Sequence, residues 1–320
     1  MKRLLLMSLL LTAVILSIPT LSDKGAAEHS PSPENTARAE RLGKDASRTI
    51  RLVSGEEVTE ISVRDYLIGV VAAEMPASFE EEALKAQCVA ARSYLQRALV
   101  NGSKHENGDI CADPNCCQAY KTEAELRALW GSKYEAYIQR IEDAVDATDG
   151  EYLSYEGKPA LAVFHSSSCG TTENSAAVWN ELPYLTSVDT PETEKDVPNF
   201  ISELKLSELD FRDTVLYGRP EADMTGNAES WLGEIKRDKA GRVESIVIGG
   251  EKFSGSELRS LFSLRSTDFE LEHTESGFVF TVKGYGHGIG MSQYGANVMA
   301  KDGVDYGEIL AHYYPGTTLS

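Results

Sequence analysis

The apolar positions of this chain fall into runs of three kinds. The first is a long, uncharged apolar run from Leu4 to Ile18, preceded by Lys2 and Arg3 and followed by Pro19. Such a run suits either the core of a cleaved leader or a membrane anchor, which needs about 20 apolar residues. Pro19 disrupts the small-residue cleavage pattern, so a transmembrane anchor over residues 1–21 is expected, with a signal peptide as the alternative. Lys2 and Arg3 would stay on the cytoplasmic side and the rest of the chain would be exported. From Ser22 to Arg48 the apolar signal fades, with Leu42 the only large aliphatic residue and Ser30-Pro31-Ser32-Pro33 in the middle. Residues 22–48 therefore read as a flexible tether. Strand-like composition returns at Thr49 with Ile50, Leu52 and Val53, and residues 49–320 form the globular part.

The second kind has helical spacing. Tyr66, Leu67, Val70 and Val71 predict a helix from Val63, and Pro76 ends it at about Glu74. Ser78 and Glu81 have the spacing of a capping box for a second helix. Its core stripe is Leu84, Cys88, Ala91, Leu95 and Leu99, and Gly102 stops it. On the neighbouring stripe Lys85 and Arg92 stand two turns apart. The third kind alternates, as in Phe278 to Val282, which reads as a strand. Ile246-Val247-Ile248, Gly249-Gly250 and Ser254 to Phe262 read as strand, turn and helix.

Charge narrows the classes of partner. The formal net charge is -19 and the pI about 4.8. Phosphate contacts need a basic patch, so nucleic acid is not an expected partner.

Three places carry candidate chemistry. Glu74 follows Val70-Val71-Ala72-Ala73 at a helix C-terminus. Both the helix dipole and apolar neighbours favour its protonated form, which suits an acid that cleaves glycosidic bonds. His105, Cys111, Cys116 and Cys117 offer four soft ligands in one loop, the number a closed structural zinc site needs; disulfide pairing such as Cys111 with Cys117 is the rival. Beyond the strand at Phe278, glycines at 284, 286, 288 and 290 permit tight turns. His287, Ser292 and Gln293 then lie at a helix start, where they can meet sugar hydroxyls. Tyr184 and Trp179 are potential sugar-stacking platforms. His165 beside Ser166-Ser167-Ser168 lacks the nucleophile elbow of a serine hydrolase.

Several of these stretches together resemble the stage II sporulation protein D family, the amidase-enhancer and lytic transglycosylase family of endospore-forming bacteria. They are Val71-Ala72-Ala73-Glu74-Met75-Pro76, Ala83-Leu84-Lys85-Ala86-Gln87, Ala90-Ala91-Arg92-Ser93-Tyr94 and Phe164-His165-Ser166. Val178-Trp179 and Pro183-Tyr184-Leu185 agree, as do Gly284 to Ala296 and Tyr313-Tyr314-Pro315-Gly316-Thr317. The likeness runs from about Ile50 to Thr317 and implies an α+β fold, sheet-rich, with an additional lobe around 194–275 and a cleft between two lobes.

The resemblance implies a division of labour. A partner amidase, of the stage II sporulation protein P type, strips stem peptides from peptidoglycan. The enzyme then cleaves the bare strand between N-acetylmuramic acid and N-acetylglucosamine, leaving 1,6-anhydro ends, with Glu74 as acid and then base. A membrane scaffold of the stage II sporulation protein M type completes the assembly between mother cell and forespore during engulfment. Stripping exposes lactyl carboxylates, which Lys85 and Arg92 are expected to contact. A second carboxylate beside Glu74, from Glu173 or Asp189, would point to hydrolysis instead. Relatives tend to carry a His where Cys116 stands, so Cys116 would fill that position in a structural zinc site. A non-catalytic glycan binder that only stimulates an amidase, and a metalloenzyme, are the alternatives. The metalloenzyme lacks an HExxH motif, and a four-ligand site leaves no open position for water.

Overall fold

The computed structural model describes residues 45–177 and 180–320. The expected anchor, most of the tether, and Val178-Trp179 lie outside the described residues. Among the described residues no helix is long and apolar enough to cross a membrane.

In chain order the elements begin with β1 (Thr49–Ser54), β2 (Glu57–Ser62), α1 (Val63–Glu74), α2 (Glu81–Asn101) and β3 (Ile110–Cys111). There follow α3 (Glu123–Trp130), α4 (Tyr134–Ala147), β4 (Leu153–Tyr155), β5 (Lys158–Pro159) and β6 (Phe164–His165). The middle third holds β7 (Ile201–Leu206), α5 (Glu208–Gly218), β8 (Leu232–Arg237), β9 (Val243–Ile248), β10 (Glu251–Ser254), α6 (Gly255–Leu261), β11 (Phe269–Thr274) and β12 (Gly277–Lys283). The chain closes with β13 (Met291–Ser292), α7 (Gln293–Lys301), α8 (Tyr306–Tyr313) and β14 (Thr318–Leu319). The fold is a mixture of α and β with several small sheets, each of two or three strands.

Two hydrophobic cores result. The first is built on helices, not on a sheet. It takes residues from Ile50 to Leu185 and again from Ile289 to Tyr314. Its central element is α2, where small residues at Ala83, Ala86, Ala90 and Ala91 let α4, α7 and α8 approach closely. The helix is therefore buried nearly all round, and Val89, Arg92 and Gln96 are as enclosed as Leu84 and Leu95. The second core gathers Phe211, Phe253, Phe269, Phe278 and Phe280 between two antiparallel three-stranded sheets, β10-β9-β8 and β11-β12-β7, and helices α5 and α6. Phe211 and Phe278 stack with ring centroids 3.8 Å apart. Burying one such ring contributes about 1.5–3 kcal/mol.

Local expectations fare unevenly. Helix α1 spans Val63–Glu74 as the spacing predicts, with Ser62 as its N-cap and Met75 extended before Pro76. The capping box from Ser78 to Glu81 does not form; the N-cap of α2 is Glu80, without a side-chain cap. Instead the Glu80 N–H donates to Asn297 Oδ1 at 2.8 Å, so α7 supplies the cap. The folded part also starts earlier than Thr49. Asp45, placed in the tether by composition, is 1% exposed and ion-paired to Arg92 at 2.7 Å.

Candidate active site

Glu74 is the last residue of α1, and three restraints hold it. Pro76 ends the helix, and the chain turns away in an extended Met75 whose side chain stays in the core. Arg140 of α4 donates from Nε to Ala77 O at 2.9 Å and from Nη2 to Phe79 O at 2.5 Å, fixing the following loop. The Ala119 N–H donates to Glu74 Oε1 at 2.7 Å. The carboxyl lines a pocket of about 290 Å³ with Met75, Leu129, Trp130, Ser166, Gln293 and Tyr294 among its walls. Burial raises the Glu74 pKa and the Ala119 N–H partly opposes it. The acid form is thus favoured mainly by desolvation. Among the described residues lining the pocket, Glu74 is the single carboxylate.

Of the other sequence-predicted residues, the structure brings only Gln293 to this wall, where its Nε2 also donates to Gln87 at 3.3 Å. Arg92 was expected to meet a glycan carboxylate but has no exposed surface. Its guanidinium pairs with Asp45 and donates to Glu151 O at 2.8 Å. It is a structural residue, because α2 is central and its basic stripe faces inward. Lys85 is held by Glu81 at 2.6 Å and Glu82 at 2.9 Å, away from the pocket. Tyr184 is 2% exposed, its hydroxyl accepting from Leu161 N, and belongs to the core. Ser292 is the buried N-cap of α7 and donates to Glu192. His287 stays off the pocket wall, its Nδ1 accepting from Ile289 N at 3.1 Å beside His165. Burial chiefly, then Arg259, lowers its pKa to about 4, so it is neutral.

Neither Glu173 nor Asp189 joins Glu74. Glu173 is buried near Arg242, with its pKa raised to about 7 by desolvation and then by Asp238. His165 Nε2 does meet Ser168 Oγ at 2.5 Å, but Ser168 has no exposed surface and cannot act as a nucleophile on a polymer. Glu192, which no motif singled out, accepts from Ser168 N, Ser292 and Thr190 and ties the three segments together.

The four soft ligands do converge. The donor atoms of His105, Cys111, Cys116 and Cys117 all lie within 4.8 Å of one another. Parallel pairing of β3 with β1 fixes Cys111, and a turn capped by Asp113 brings Cys116 and Cys117 back to it. The five cysteines are unpaired in this structure. Four donors around one zinc at about 2.0–2.3 Å would stand at such separations. Cys169 sits apart, beside Gly170. The same loop continues straight onto α1: Tyr66 OH donates to Gln118 Oε1 at 3.0 Å, and Lys121 N to Gly69 O at 3.2 Å. A side chain at Gly69 would strike the Tyr120 ring, so glycine is needed for this docking.

Comparison with known proteins adds the following. A family model described as stage II sporulation protein matches residues 54–155. A stage II sporulation protein D of Bacillus amyloliquefaciens is 37% identical, with 98% of this chain and 92% of that protein aligned. Its counterpart in Bacillus subtilis is 35% identical over 100% of this chain and 96% of its own length. An amidase enhancer of Bacillus subtilis is 31% identical over 79% of this chain and 40% of its own length.

Proposed function

Because the chain belongs to the stage II sporulation protein D family of sporulation proteins, we propose that it is a peptidoglycan lytic transglycosylase with Glu74 as its acid and base. The observation that carries this reading is a lone, half-buried carboxyl with a raised pKa on the wall of an open, largely apolar pocket. The protonated carboxyl gives its proton to the glycosidic oxygen, which leaves as the N-acetylglucosamine hydroxyl. The muramic acid C6 oxygen then bonds to C1 while its proton returns to Glu74. The 1,6-anhydro ring closes, and the carboxyl is regenerated without water. Ordinary hydrolysis uses a second carboxylate, and none lines the pocket among the described residues.

The substrate is the stem-peptide-free strand, supplied by a partner amidase. A membrane scaffold and an N-terminal anchor keep the enzyme at the membrane, with the described part outside the cytoplasm. His105, Cys111, Cys116 and Cys117 would hold one structural zinc; four protein ligands leave it no open position for catalysis.

The amidase-enhancer relative supports a second reading, a glycan binder that stimulates an amidase without cutting. Glu74→Gln separates the two. On the first reading it still binds strands and cuts none. On the second it stimulates the partner amidase as well as the parent, and the parent also cuts nothing.

A further inference from the structure

Of three arginines in the second lobe, Arg242 is paired with a carboxylate, while Arg259 and Arg265 have no ion pair among the described residues. Arg242 has Glu173 at 3.8 Å and gives Nη2 to Ser168 Oγ at 3.2 Å. Arg259, on α6, has no hydrogen bond or ion pair to its guanidinium among the described residues, and its Nε is buried and unpartnered. Arg265 gives Nη1 to Asn199 O at 3.0 Å and has no carboxylate partner among the described residues. Its Nε is also buried and unpartnered. Both residues are half-buried and each buries its Nε donor, which is ordinarily partnered, and this chain carries a formal charge of -19. Carboxylates are abundant, yet none is set against these two guanidinium groups.

The Arg265 guanidinium lies over the ring of Tyr285, 4.4 Å from its centroid, and Tyr285 is 47% exposed. The Tyr285 backbone pairs with Ser167 through two hydrogen bonds, of 3.0 and 2.9 Å. Ser166, the next residue, lines the Glu74 pocket and accepts from Tyr294 N at 3.0 Å. Tyr285 and Tyr294 thus flank one short segment, with Arg265 acting electrostatically on Tyr294 and Arg259 on Tyr285.

We propose that Arg259 and Arg265, with the Tyr285 ring beside them, form an anion subsite next to Glu74 that takes a carboxylate of the glycan strand. The assignment rests on the reading that a strand occupies the Glu74 pocket. A planar guanidinium matches a carboxylate with two parallel hydrogen bonds, and a stripped muramic acid offers one carboxylate per disaccharide. The aromatic face supports the sugar while the cations hold its acid.

The test uses the full chain carrying Glu74→Gln, so that strands bind without being cut. Binding is measured to stripped strands and to the same strands with carboxylates capped as methylamides. The parent background should prefer the uncapped strands by at least about tenfold, as one or two charge-assisted hydrogen bonds predict. Arg265→Gln and Arg259→Gln should each remove most of that preference and leave capped strands bound as before. Arg265→Lys, which keeps the charge, should retain part of it, guarding against a variant that fails to fold. Equal affinity of the background for both strands, or equal losses on both, would overturn the subsite. Uncut binding with this preference, in a protein whose parent releases no anhydro ends, would instead overturn the lytic reading and leave the subsite standing.

Discussion

Ala119 donates its backbone N–H to Glu74 Oε1 at 2.7 Å, two residues after Cys117. The loop that carries the four soft ligands and the Glu74 carboxyl are therefore one mechanical unit. A zinc held in that loop would act on Glu74 through position.

Metal removal should accordingly reach the chemistry. The protein as purified should contain about one zinc. Chelation, or Cys117→Ser, should lower the melting temperature and also lower turnover of the folded fraction by about tenfold or more, since small misplacement of a catalytic group is expensive in rate. Metal content, melting and turnover measured on one sample check this. A metal-free protein with a Cys111–Cys117 disulfide and full turnover would contradict it.

The raised pKa of Glu74 sets a pH dependence with a definite sign. The unfolded chain releases this proton near the ordinary glutamate value, about 4.3, and the folded protein only at higher pH. Stability from the protonated carboxyl is complete below the unfolded value and is lost as pH rises through the folded one. Glu74→Gln, always neutral and still able to accept from Ala119, should gain stability over wild type as pH rises from 4 to 8. Turnover, which needs the proton, should fall over the same range. Denaturant midpoints of the two proteins against pH measure the first effect.

Arg92→Ala should act on the fold and not on recognition. It leaves Asp45 buried without its partner, a loss of about 3–5 kcal/mol. Urea unfolding should show that deficit. The surviving folded protein should keep its preference between uncapped and capped strands. A selective loss of uncapped binding with unchanged stability would restore Arg92 to the substrate.

Trp130 closes α3 and lines the Glu74 pocket next to Leu129, which is 61% exposed. Trp130→Ala should weaken strand binding by about five- to thirtyfold, from ~1–2 kcal/mol of lost apolar contact, whether carboxylates are capped or not. Isothermal titration on the Glu74→Gln background reads it directly. Undiminished affinity would take the aromatic wall out of the binding surface.

What could be read in advance was local. Pro76 after an apolar helix places Glu74, and four soft ligands between His105 and Cys117 announce a cluster, because both depend on residues close in sequence. What failed depended on long-range packing. The stripe holding Lys85 and Arg92 reads as a helix face, and only the enclosure of α2 by α4, α7 and α8 turns it inward. The partner of Arg92 is Asp45, 47 residues earlier, in a segment whose composition is that of a tether. Tyr184 and Ser292 belong to motifs, yet motif membership does not separate a sugar contact from a core hydroxyl. Arg259 and Arg265 carry no motif, and their signal is the absence of a carboxylate partner among the described residues, which exists only in three dimensions.

The most direct test of Glu74 as a lytic acid and base is the mass of the strand ends. Amidase-stripped glycan is digested with wild-type protein and with Glu74→Gln, and the products are weighed. The account predicts 1,6-anhydro ends, lighter than reducing ends by one water, from wild type and no cleavage from the variant. Reducing ends from wild type, or anhydro ends that persist in Glu74→Gln, would contradict it.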